Sequence, residues 1–92
     1  MKLLPLGSVL RIKDKKVCII GYTSVEEEAT SIMGYVVVSY PLGFINIDKT
    51  FFIPLNLEYE ILAEGYITKP YEKLLDTIGK GFEMLSTKEA LK

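Results

Sequence analysis

The chain reads as a mainly β domain followed by one C-terminal α-helix, an α+β arrangement. Its strands would build either a small five-stranded, strongly curved antiparallel sheet or an SH3-like barrel. Three observations predict it. Short apolar runs rich in β-branched and aromatic residues recur along the first two thirds of the sequence, each bounded by charged residues, Gly or Pro. Three corner phrases, Leu4-Pro5-Leu6-Gly7-Ser8-Val9-Leu10, Tyr40-Pro41-Leu42-Gly43 and Glu64-Gly65-Tyr66, join a turn element to a bulky apolar run. Beyond Thr68 the apolar spacing changes to a helical repeat.

The elements follow in order. Ser8-Val9-Leu10-Arg11-Ile12-Lys13 alternates so that Leu10 and Ile12 share one face and Arg11 and Lys13 the other, as in a half-buried strand. Asp14-Lys15 is the expected turn into a second strand, Lys16-Val17-Cys18-Ile19-Ile20-Gly21-Tyr22. From Ser24 the chain becomes polar, and Glu26, Glu27 and Glu28 are expected at the solvated tip of a loop that closes near Ser31. Gly34-Tyr35-Val36-Val37-Val38-Ser39-Tyr40 is the strongest strand, expected at the centre of the sheet and stopped by Pro41 and Gly43. Phe44 to Thr50 is apolar for a loop and fits a short strand or a one-turn helix. Thr50-Phe51-Phe52-Ile53 reads as a fourth strand, with Pro54 confining its end to an edge or a bend, and Glu58-Tyr59-Glu60-Ile61-Leu62 as a fifth.

Tyr71, Leu75, Ile78, Phe82 and Leu85 follow one another at intervals of 4, 3, 4 and 3 and so fall on one stripe of an amphipathic helix. Thr68 is its expected N-cap, with Pro70 tolerated in the first turn. Gly79 and Gly81 each cost about 1 kcal/mol relative to Ala inside a helix, so the helix needs support from packing. Ser86 and Glu89 have capping-box spacing and could restart a last turn. Residues 1–67 are therefore read as the β domain and 68–92 as a helix packed on that domain or on a partner.

Bulk composition narrows the function classes. A chain of 92 residues holds one core and one interaction surface. With 49% hydrophobic against 25% charged residues it lies far from the compositions that stay disordered. Eleven basic and twelve acidic side chains leave a formal charge of -1, which supplies no global field for nucleic acid or anionic lipid. The single cysteine allows no internal disulfide and no thiolate cluster and suits a reducing compartment, so a cytoplasmic location is expected. The start Met1-Lys2-Leu3-Leu4 resembles a signal peptide only briefly, because Pro5, Gly7, Arg11 and Lys13 interrupt it. No apolar run reaches the roughly 18 residues that would mark a membrane span.

The chemistry-bearing residues are few. Histidine is absent, and with it the commonest general base and metal ligand. Cys18, between Val17 and Ile19, is read as a buried core hydrophobe rather than a reactive thiol. Glu26, Glu27 and Glu28 lack surroundings that would push their pKa values apart for acid–base work. Gly21, Gly34, Gly43 and Gly65 form no phosphate loop, and Asn46 with Asp48 lack the other ligands of a Ca²⁺ loop. No catalytic residue, cofactor or metal is therefore expected, and the chain is read as a non-enzyme.

Two binding readings remain. Arg11, Lys13, Lys15 and Lys16 cluster at the first hairpin, either as a solvated tip or as the contact surface of a small RNA- or DNA-binding barrel. Six tyrosines and four phenylalanines exceed what so small a core readily hides, and Tyr favours interfaces that are part dry and part wet. The candidate protein-binding residues are thus Tyr40, Leu42, Phe44 and Tyr66 beside the corners and Tyr71, Leu75, Ile78 and Phe82 on the helix stripe. Corner aromatics that only cap the core fit equally well. The 4-3 spacing of the stripe also fits a homodimer seam.

The ordered set Leu4-Pro5-Leu6-Gly7-Ser8-Val9, Ile19-Ile20-Gly21-Tyr22, Tyr40-Pro41-Leu42-Gly43, Phe52 and Glu64-Gly65-Tyr66 resembles the DUF4176 family over roughly the first 66 residues. Members of that family are small cytoplasmic proteins of Gram-positive bacteria, encoded beside LXG-type toxins of the type VII secretion system. The resemblance implies an accessory role, as a chaperone or targeting factor that engages an LXG-type toxin or another secretion accessory protein. It brings no catalytic residues. Leu42 departs from the family pattern, in which an acidic residue is more usual between the Pro and the Gly.

Overall fold

Strand β1 (Val9–Ile12) turns back into β2 (Lys15–Glu27) through Lys13-Asp14, one residue earlier than the expected Asp14-Lys15 turn. Lys13 takes a left-handed backbone (φ 58°) there, in place of the Gly or Asn usual in such tight hairpins. The computed structural model describes the backbone of residues 3–28 and 30–91, with side chains as far as Gly81. Strand β2 continues antiparallel into β3 (Thr30–Ser39), β3 into β4 (Thr50–Pro54), and β5 (Glu60–Ala63) pairs with the free side of β1. The strand order is β4-β3-β2-β1-β5. Strands β4 and β5 are its two edges, so the fold is the open five-stranded antiparallel sheet and not the closed SH3-like barrel.

The β-branched run forms β3, an interior strand as expected, but the middle of the sheet is taken by the longer β2, and β3 begins earlier than expected. Glu26 and Glu27 lie within β2, paired with Ser31 and Thr30, where a loop was expected. This end of the β2–β3 pair extends past both neighbouring strands and buries little, so its residues carry no hydrophobic alternation by which a strand could be read. The apolar stretch between β3 and β4 contains a single 3₁₀ turn, Ile47–Lys49. The Thr50 hydroxyl bonds the Ile47 carbonyl at 2.7 Å to close it.

One sheet face carries the core. Leu10, Val17, Ile19, Met33, Tyr35, Val37 and Ile53 turn to it and meet Leu3 and Leu4 from the N-terminal segment and Leu75 from the helix α1 (Lys69–Leu91). Tyr71 and Ile78 pack against the same cluster, so the described part of the helical stripe is used within the chain. The expected cap is present, with the Thr68 hydroxyl accepting the Tyr71 N–H at 3.3 Å. The helix backbone runs unbroken past Ser86, so no new start occurs there. Cys18 corrects its core assignment: Val17 and Ile19 turn to the core face of the sheet, so strand alternation turns Cys18 to the opposite face, half-buried beside its partner Val38.

The first and third corner phrases meet. Ser8, fully buried, donates its hydroxyl to the Pro5 carbonyl (2.8 Å) and accepts the Gly65 N–H (3.1 Å). Gly65 lies so close to this crossing that a Cβ on it would overlap the Leu6 carbonyl oxygen and stand 3.2 Å from the Ser8 nitrogen. Tyrosine hydroxyls bind the segment from the other side. The Leu6 N–H donates to Tyr71 (2.5 Å), Tyr71 and Tyr22 share a hydrogen bond (2.8 Å), and Tyr22 donates to the Leu4 carbonyl (2.6 Å). Tyr35 accepts the Leu4 N–H at 3.1 Å. Burial pushes the Tyr22 phenol well above the usual tyrosine range, and its hydrogen bond to Tyr71 adds to the shift. Burial also raises Tyr35.

Two measurements check this packing. Gly65→Ala should destabilise by about 1–3 kcal/mol in urea unfolding, because backbone atoms must move to admit the methyl group. Gly81→Ala, with nothing within 4 Å of the added carbon, should stabilise by up to about 1 kcal/mol. The raised phenols also set a pH limit. The folded state holds these protons more tightly than the unfolded chain, so their contribution is complete below about pH 10 and is lost as pH rises towards the folded values. The melting temperature should therefore fall above about pH 10, less steeply in Tyr22→Phe, and in a phenolate absorbance titration Tyr22 and Tyr35 should ionise last.

Candidate partner-binding surface

The middle corner phrase stands apart from the other two. It leaves β3 at Tyr40, whose N–H donates to the Lys16 carbonyl at 3.0 Å and so ties the loop to the first hairpin. Gly43 turns the chain with a left-handed backbone (φ 75°) and donates its N–H to the Ser39 carbonyl at 2.8 Å. The Tyr40–Pro41 peptide bond is cis. On this loop Leu42 (71% exposed), Phe44 (63%), Ile45 and Ile47 (79%) project into solvent. Single exposed apolar side chains are ordinary on protein surfaces, but a run of them on one loop makes it a candidate site of association.

Beside the loop the sheet face opens into a groove of about 720 Å³. The core residues Val17, Val37 and Ile53 reach its floor, Ile12, Phe51 and Leu57 form apolar walls, and Tyr40 belongs to both groove and loop. Among the described residues, no helix residue lines it. The hairpin residues Lys13, Asp14, Lys15 and Lys16 make one rim basic. Arg11, the fourth member of the expected basic cluster, is paired with Glu60 on β5 through two exposed side chains, a contact worth little to stability. Among the described residues, Lys13, Lys15 and Lys16 have no carboxylate within ion-pair distance.

The candidate residues separate accordingly. Tyr40, Leu42 and Phe44 are brought together on the loop. Tyr66 is 83% exposed but lies beyond Gly65, away from the groove. Tyr71, Leu75 and Ile78 pack into the core; Leu75 is 6% exposed. The side chain of Phe82 lies outside the described residues. Sequence reasoning missed Ile45, Ile47, Phe51 and Leu57. The first two had a legible signal, the unusual apolarity of the stretch from Phe44 to Thr50. Phe51 and Leu57 had none, since the groove joins segments distant in sequence.

A smaller cleft of about 240 Å³ lies between the N-terminal segment and the helix, lined by Leu3, Pro5, Ile67, Leu75 and the carboxylates Glu64, Glu72 and Asp76. Among the described residues, no group of three His, Cys, Asp or Glu side chains is placed to hold a metal ion. No helix among them is long and apolar enough to cross a membrane.

A family model described as a domain of unknown function (DUF4176) matches residues 3–74, which include every strand and the first turn of the helix. No curated protein and no solved structure matches the chain.

The loop and the helix stripe should respond differently to substitution. Leu42→Ser and Phe44→Ser remove side chains that support no core and should shift the unfolding free energy by no more than about 0.5 kcal/mol. Leu75→Ala empties a core position and should cost about 2–5 kcal/mol. Denaturant titration of the three variants measures both.

Proposed function

With the chain's membership of the DUF4176 family as premise, we propose that it is a non-enzymatic protein-binding module. Its role would be that of a cytoplasmic chaperone or targeting factor for an LXG-type toxin of the type VII secretion system. The observation that carries the binding part is the ordered apolar loop from Tyr40 to Ile47, which exposes large side chains beside an apolar groove. Hydrogen bonds at Tyr40, at Gly43 and in the 3₁₀ turn restrain the two ends of the loop and so reduce the conformational freedom lost on association. The toxin assignment comes from the family resemblance of the corner phrases.

Co-expression tests the reading. An LXG protein encoded beside the gene should co-purify with this chain, and Leu42→Asp combined with Phe44→Asp should abolish recovery while leaving the melting temperature unchanged. If the purified chain is an inert monomer that ignores every LXG protein encoded nearby, the reading fails.

A further inference from the structure

We propose that the groove beside the loop receives an amphipathic, acid-flanked segment of a protein partner, with its apolar side chains on the Val17, Val37 and Ile53 floor and its carboxylates against Lys13, Lys15 and Lys16. The proposal rests on the protein-binding reading above and names the chemistry of the partner.

Charge complementarity selects this occupant. Three lysines against the single carboxylate of Asp14 make the rim basic in a chain whose overall charge is -1, so the local field is set by the hairpin and not by the whole protein. Lysine stems lie along apolar surface while their ammonium groups stay in water, which places the charges where an incoming segment has its polar flank. The floor is aliphatic and receives anchors spaced as on one face of a helix. A small polar metabolite would need buried polar groups converging on it. None of the buried side-chain nitrogen or oxygen atoms among the described residues is left without a partner to offer. A nucleic-acid strand could use the lysines and stack on Tyr40 and Phe51, but it would leave the aliphatic floor unfilled.

The test uses two labelled synthetic peptides with Leu at the same i, i+3, i+4, i+7 positions, one flanked by Glu and the other by Lys, followed by fluorescence anisotropy with the whole chain. The Glu peptide should bind and the Lys peptide should bind at least about tenfold more weakly. Lys13→Glu with Lys15→Glu should reverse that preference, and Phe51→Asp should weaken binding of both peptides. If the Asp variant fails to fold, Phe51→Ser takes its place. Amide NMR shifts should change at Val17, Val37 and Phe51.

Equal binding of the two peptides, or no binding of either up to about 1 mM, overturns the proposal. Shifts confined to Leu42 and Phe44 also overturn it, while leaving the protein-binding reading intact. Toxin that co-purifies normally with the Lys13→Glu, Lys15→Glu variant separates the two in the same way. An oligouridine that binds through the lysines and is indifferent to Phe51→Asp would make the site a nucleic-acid surface. Concentration-dependent sedimentation lost in Phe51→Asp would make the occupant a second copy. Either result overturns the proposal.

Discussion

The N-terminal segment from Leu3 to Ser8 is the constraint on which the rest of the architecture depends. It crosses the edge of the core outside the ladder pairs of the sheet, and backbone N–H and C=O groups in such a place must find partners or lose more than their burial gains. Tyrosine hydroxyls from β2, β3 and α1 supply them for Leu4 and Leu6, the Ile19 backbone pairs with Gly7 and Ser8, and the Ser8 hydroxyl with Gly65 completes the crossing. A phenol suits this work because its ring fills core volume while its oxygen both donates and accepts. The same bonds seat the helix. Tyr71 is held to Leu6 and Tyr22, and the groove opens where no described helix side chain lines the sheet face.

Helix stripe and loop carry equally apolar sequences, yet the fold uses one and leaves the other in solvent. The stripe has a period that matches a single helical face, so one docking event buries it. The loop cannot be buried in that way. Its backbone is turned by Gly43 and by the 3₁₀ segment, which send successive side chains outward around the bend. Backbone restraint at the two ends of the loop therefore coincides with exposure of the side chains between them.

Local signals made much of this legible in the sequence. The β-branched run of β3, the Pro41 and Gly43 stop, the Thr68 cap and the 4-3 spacing of the helix each depend on residues a few positions apart, and each is present. What could not be read was set by distant neighbours. The polar ribbon at Glu26 and Glu27 is held by cross-strand pairing alone, Gly65 is needed because of the Leu6 backbone, and the groove is assembled from four separate stretches. Cys18 shows the same limit at closer range. Its apolar neighbours implied burial, but only the register of the strand fixes which face it occupies.

An open sheet has two unpaired edges, and their chemistry bears on how the chain survives at high concentration. Strand β4 ends at Pro54, which has no N–H to offer an added strand, and β5 is four residues long, with Glu60 at its start and Glu64 just past its end. The protein thus caps or shortens both edges, although each carries exposed apolar side chains, Phe51 on β4 and Ile61 and Leu62 on β5. Growth of the ladder from either side is therefore limited by backbone chemistry and strand length, and not by the polarity of the side chains there.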